Sequence, residues 1–196
     1  MKKSVILLLA SVTVLAGCAK KFNVQATLDG AKLPSTESVV VEYEAMEAPI
    51  KAAVKDDAFK LSGKTKKSSI AKLSTVGVDP KRTRIFIIEK GDISFQEGLP
   101  CGTPLNDSIT AFSYRVNTVA KQHIGDTEGL KTAVNKEFTD FVSRHKNDPC
   151  AVYAILYCNH RLDKTFLRDL IKSTSRQVQN DGEVHGILSD LERLPD

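Results

Sequence analysis

Apolar and polar residues alternate in short runs over the first half of the chain, then recur every three or four residues over the second. FNVQATL, residues 22 to 28, alternates and runs into the turn pair Asp29-Gly30. SVVVEYE, from Ser38, is rich in β-branched residues, which suit a pleated surface. IKAAVKDDAFKLSG, residues 50 to 63, reads as a hairpin turning at Asp56-Asp57 and stopping at Gly63. SSIAKLSTV follows, and RTRIFIIEKGDISFQ reads as two strands joined at Lys90-Gly91. About seven short strands with turn residues between them predict an antiparallel β-sandwich or barrel over residues 18–100.

The period changes after Pro104. Leu105, Ile109, Phe112, Val116 and Val119 fall on one helical face, and Leu130, Val134, Phe138, Phe141 and Val142 on another. In NDPCAVYAILYC, Asp148 is placed as an N-cap and Pro149 in the first turn, where a missing N–H costs little. AVYAILYC is apolar almost all round, as expected of a helix at the centre of a core. Asp163 is placed to cap a helix carrying Phe166, Leu167, Leu170 and Ile171, and Val184, Ile187, Leu188, Leu191 and Leu194 belong to a last one. The expected architecture is α+β, with a helical segment of about five helices over residues 101–196.

Between the two halves lies LPCGTPLNDSITAF. Gly102 and Pro104 end the strand region, Thr103 and Leu105 flank the proline, and Asn106 or Asp107 can accept from free N–H groups of the first helical turn. This junction is read as a hinge and cap, with Cys101 dispensable.

The first residues carry a different signal. Lys2 and Lys3 precede an apolar run that is too short to span a bilayer and ends in small residues. Leu15-Ala16-Gly17-Cys18 resembles the lipobox of bacterial lipoproteins. The resemblance implies cleavage after residue 17, acylation of Cys18 and a mature chain anchored through lipid. Ala19 is not the Asp of the inner-membrane retention signal, so the implied address is the outer membrane.

Composition narrows the function classes. Aromatic residues are 6% of the chain and Trp is absent, which is thin for a surface that stacks sugars or bases. Beyond the leader, 26 Lys and Arg face 24 Asp and Glu, a balance too even for a nucleic-acid binder. Lys60, Lys64, Lys66 and Lys67 in KLSGKTKK read first as a solvated strand edge and second as a contact for anionic lipid headgroups.

DDAFKLSGK, the strand IFIIEKGDISF and the Gly-Thr-Pro-Leu-Asn-Asp after it together resemble the domain of unknown function 4369. That domain forms the N-terminal part of many lipoprotein thiol-disulfide oxidoreductases of a Gram-negative phylum rich in gut anaerobes. The resemblance covers residues 22 to about 112, and the following helices resemble the linker helices of those enzymes. It implies a thioredoxin-like domain with a Cys-x-x-Cys site further on. No pair of cysteines here has that spacing, and the chain ends at Asp196, so the expectation is the accessory half without redox catalysis.

Cys101, Cys150 and Cys158 remain as candidate thiols. Cys150 and Cys158 are eight apart on one expected helix, about 12 Å along its axis, and cannot pair with each other. Either can pair with Cys101 in an oxidising envelope, and Cys150, at a helix N-terminus, is the one placed for thiolate character. His123, His145, His160 and His185 fall near helix ends without a metal-binding spacing, so no metal site is expected. No nucleophile elbow and no phosphate loop is present. The expectation is a non-catalytic envelope lipoprotein without a cofactor, bound to the membrane through Cys18 and binding a protein or ligand. The alternatives are an accessory to a separate thiol-disulfide oxidoreductase and a small-molecule or glycan binder.

Overall fold

The structure, a computed structural model, describes residues 19–44, 48–79, 81–158 and 162–193. Cys18, His160, Leu194 and the side chain of Cys158 lie outside the described part.

Among the described residues, eight strands precede six helices. They are β1 Lys20–Thr27, β2 Ser38–Tyr43, β3 Ile50–Ala53, β4 Ala58–Thr65, β5 Ser69–Thr75, β6 Thr83–Ile88, β7 Gly91–Gln96 and β8 Leu99–Cys101. The helices are α1 Pro104–Gln122, α2 Thr127–Arg144, α3 Pro149–Cys158, α4 Lys164–Lys172, α5 Arg176–Gln179 and α6 Gly182–Arg193. The strands form two four-stranded sheets, ordered β4-β1-β7-β8 and β3-β2-β5-β6. The expected α+β sandwich is present in outline, but it is neither a closed barrel nor wholly antiparallel. β1 runs parallel to β7, with Phe22 opposite Gly91.

Neither the arms of the expected hairpin nor the two strands joined at Lys90-Gly91 are sheet partners. The turn at Asp56-Asp57 exists, with φ of 50° and 56° and reciprocal Lys55–Ala58 hydrogen bonds. Beyond it the chain changes sheets, because β3 pairs with β2 and β4 with β1. β6 and β7 separate in the same way at Lys90-Gly91. A local turn signal does not say which strand each arm will meet. Gly63 is inside β4 rather than at its end. The Phe22 ring covers it so closely that an added Cβ would lie 2.5 Å from the ring edge.

Alternation decides the layers. Phe22 and Val24 of β1, Phe59 and Leu61 of β4, Val39 and Val41 of β2, Leu73 of β5, and Phe86 and Ile88 of β6 fill the space between the sheets. The other face of β6 presents Ile85 and Ile87, and β5 presents Ile70. These pack against Ile109, Phe112, Phe138, Phe141 and Ile155 of the helices. The helices thus form a third layer on the outer face of the second sheet. α3 is the central helix, with Cys150, Ala151, Ala154 and Ile155 wholly buried. Its burial follows from its lack of a polar face. α5 is a single turn with little periodicity to betray it.

Candidate functional site

The β/α junction is built differently from its expected form. Thr103 is the N-cap of α1 and makes no side-chain cap bond. Neither Asn106 nor Asp107 caps the helix. The Asp107 carboxylate accepts from the Gly102 N–H at 2.9 Å, tying the chain just ahead of the helix. Asn106 is fully buried and turns to β6, the edge strand of its sheet. Ile87 N–H donates to Asn106 Oδ1 at 2.9 Å, and Asn106 Nδ2 donates to Ile87 O at 2.7 Å and to Thr103 Oγ1 at 2.8 Å. The cap comes instead from Glu89, whose Oε1 accepts from Leu105 N–H at 2.8 Å and Asn106 N–H at 3.3 Å. A buried carboxylate at a helix N-terminus meets free N–H groups and the positive end of the helix dipole. Gly102 has φ +93°, and Pro104 opens the helix.

The thiols are not brought together. Cys101 is half-buried, and its Sγ lies 3.2 Å from Ser94 Oγ. Cys150 is wholly buried, with its Sγ 3.7 Å from Leu105 O, and no disulfide joins the two. Burial pushes the Cys150 thiol far up, and the carboxylates of Asp148 and Glu89 push it further the same way. The helix N-terminus that would favour a thiolate is already occupied, because Asp148 Oδ1 accepts from Cys150 N–H at 2.8 Å.

His145, Asp148 and Cys150 bring three metal-ligating atoms within 4.8 Å of one another, the one such group among the described residues. Its geometry is that of a helix turn. His145 closes α2 and meets Asp148 Oδ2 through Nδ1 at 2.9 Å, while Asp148 holds the start of α3. His123 ends α1, and His185 lies within α6.

A cleft of about 620 Å³ lies beside the helical layer, where β2 and β5 face α3 and α6. Its floor includes Ile70 of β5, Val152 and Leu156 of α3, and Val178 of α5. Its rim is charged: Glu42, Glu44, Asp181 and Glu183 face Lys67 and Lys72. Lys72 Nζ donates to Glu183 Oε1, linking the sheet to α6 across the rim. Asp181 Oδ1 accepts from the N–H groups of Glu183 at 3.2 Å and Val184 at 3.4 Å. Burial raises the Asp181 pKa; those two N–H bonds oppose the rise, and the neighbouring carboxylates of Glu44 and Glu183 add to it. Among the described residues, cysteine and histidine are absent from the lining. Such a cleft can hold a ligand with an apolar body and polar or cationic groups.

No protein-family model, no curated protein and no solved structure matches this chain. No helix among the described residues is long and apolar enough to cross a membrane.

Sequence reasoning passed over Glu89 and the cleft. Glu89 had one signal, an acid directly closing the apolar run IFII ahead of Lys90. The cleft residues come from five separate elements and share no motif.

Proposed function

We propose that this chain is a non-catalytic, lipid-anchored lipoprotein of the outer membrane that binds a ligand or an envelope protein through the cleft between β5 and the helices. The observation that carries the binding half is the cleft itself, lined from both layers with an apolar floor and a charged rim. Its size is that of small-molecule sites. The anchored half rests on Leu15-Ala16-Gly17-Cys18 behind the charged leader. The accessory-to-oxidoreductase reading has less support, since the thiol at a helix N-terminus, Cys150, is buried and held protonated.

Gly182 offers a clean test. It lines the cleft, and a Cβ added there meets nothing within 4 Å. Gly182→Trp should therefore put an indole at the cleft without a clash at its Cβ. Native mass spectrometry of protein purified from envelopes is expected to find a bound molecule or partner on the wild type and to lose it on G182W. Identical spectra for both proteins would contradict binding in the cleft.

A further inference from the structure

We propose that the lysine-rich end of the sheet β4-β1-β7-β8 is a docking surface for anionic phospholipid headgroups. This rests on the lipid-anchor reading, because it concerns the end of the fold at which the chain leaves Cys18.

The register gathers the charges. Lys21 of β1 lies directly opposite Lys64 of β4, and Lys20 lies opposite Thr65. Lys66 and Lys67 follow at once in the turn to β5, and Lys90 immediately precedes Gly91, the β7 partner of Phe22. All six lysines are exposed. Among the described residues none of them makes an ion pair. Three acids lie close in the chain or the sheet. Asp92 is engaged by Asn23 Nδ2 at 2.6 Å, Glu89 is buried under α1, and Glu44 faces the cleft beside Lys67.

Protection of a sheet edge accounts for lysines on β4, the edge strand. β1 meets β7 only from Phe22 to Val24, so edge protection extends to Lys20 and Lys21 as well. It does not favour Lys21 directly across from Lys64, since like charges in that arrangement destabilise a sheet. An anionic surface compensates the charges of Lys20, Lys21, Lys64, Lys66 and Lys90 together, while Lys67 shares the cleft rim with Glu42 and Glu44.

Position supplies the second argument. Cys18 is two residues ahead of Lys20, at most about 7 Å of chain. A lipid on Cys18 brings this end of the sandwich, and no other, to the headgroups. Each lysine near an anionic leaflet contributes about a five-fold gain in binding.

The test uses residues 19–196, which contain every described element and no lipid site. Sedimentation with vesicles of phosphatidylglycerol and phosphatidylcholine is compared with phosphatidylcholine alone, at low and high salt. The expected result is binding to the anionic vesicles only, weakened by salt. The variant Lys64→Glu with Lys66→Glu should bind at least about twenty-fold more weakly, with an unchanged melting profile. No preference for anionic vesicles, or a variant that binds like the wild type, overturns the proposal. So does equally tight binding to duplex DNA, which would mark mere polyanion capture. The mass of the membrane-extracted protein separates this from the anchor. An acylated protein without headgroup preference sinks the lysine surface and leaves the anchor standing. An unacylated protein that prefers anionic vesicles supports the surface and sinks the anchor.

Discussion

The Asn106 side chain gives Ile87 both backbone hydrogen bonds that an adjacent strand would give it, accepting at 2.9 Å and donating at 2.7 Å. A single amide on α1 thereby continues the sheet past its edge strand and fixes the helical layer to it. Both residues are fully buried. Asn106→Ala should leave two buried peptide groups unpaired, at a cost of about 2–4 kcal/mol. Cys101→Ser keeps the contact with Ser94 and should stay within about 0.5 kcal/mol of wild type. Urea unfolding of the two variants measures the difference, and similar midpoints would refute the clamp.

Gly102 should be irreplaceable for two reasons that Gly77 separates. Both have positive φ, 93° and 73°. A Cβ at Gly102 meets Asp92 O at 2.6 Å, whereas one at Gly77 meets nothing within 4 Å. Gly77→Ala should therefore show only the left-handed backbone penalty, about 1 kcal/mol. Gly102→Ala should cost clearly more, because the Asp92 backbone must also move. Equal losses in thermal unfolding would mean the close approach is not constraining.

Thiol labelling should follow burial. In native protein at mildly alkaline pH, Cys101 is expected to react slowly and Cys150 only as the protein unfolds. Mass mapping of alkylated peptides along a denaturant series checks this. Labelling of Cys150 ahead of Cys101 in the native state would restore the redox reading.

Asp181 predicts a pH dependence. Its folded-state pKa is raised, so the native state holds the proton more tightly than the unfolded chain. Its contribution is therefore fully present below the ordinary carboxylate value of 3.8 and is lost as pH rises through the folded value. Asp181→Asn keeps an oxygen for the Val184 and Glu183 N–H groups. That variant should match wild type in acid and gain on it as pH rises through that window. A variant that loses stability relative to wild type over the same window would reverse the sign.

Much of the scaffold was legible because periodicity reports burial directly. Ile109, Phe112 and Val116 recur at helical spacing and are buried, and Val39 and Val41 alternate and are buried. Pairing was not legible. Nothing local to Asp56-Asp57 tells β3 and β4 to enter different sheets, or brings β7 parallel to β1. The junction misled for a related reason. Asn106 has the residue type and place of a cap, but its partner is Ile87, 19 residues earlier, and the free N–H groups had already been met by Glu89. The cleft depends on how α3 packs on β5 and α6 on α3, which a linear pattern does not encode.

The proposed lipoprotein is held at its membrane through Cys18. Intact-mass and N-terminal peptide analysis of protein extracted from membranes tests it directly. The predicted species begins at Cys18 and carries acyl mass there, and Cys18→Ser moves the protein out of the membrane fraction. A membrane-bound protein that begins elsewhere, carries no acyl mass and is unaffected by Cys18→Ser would contradict it.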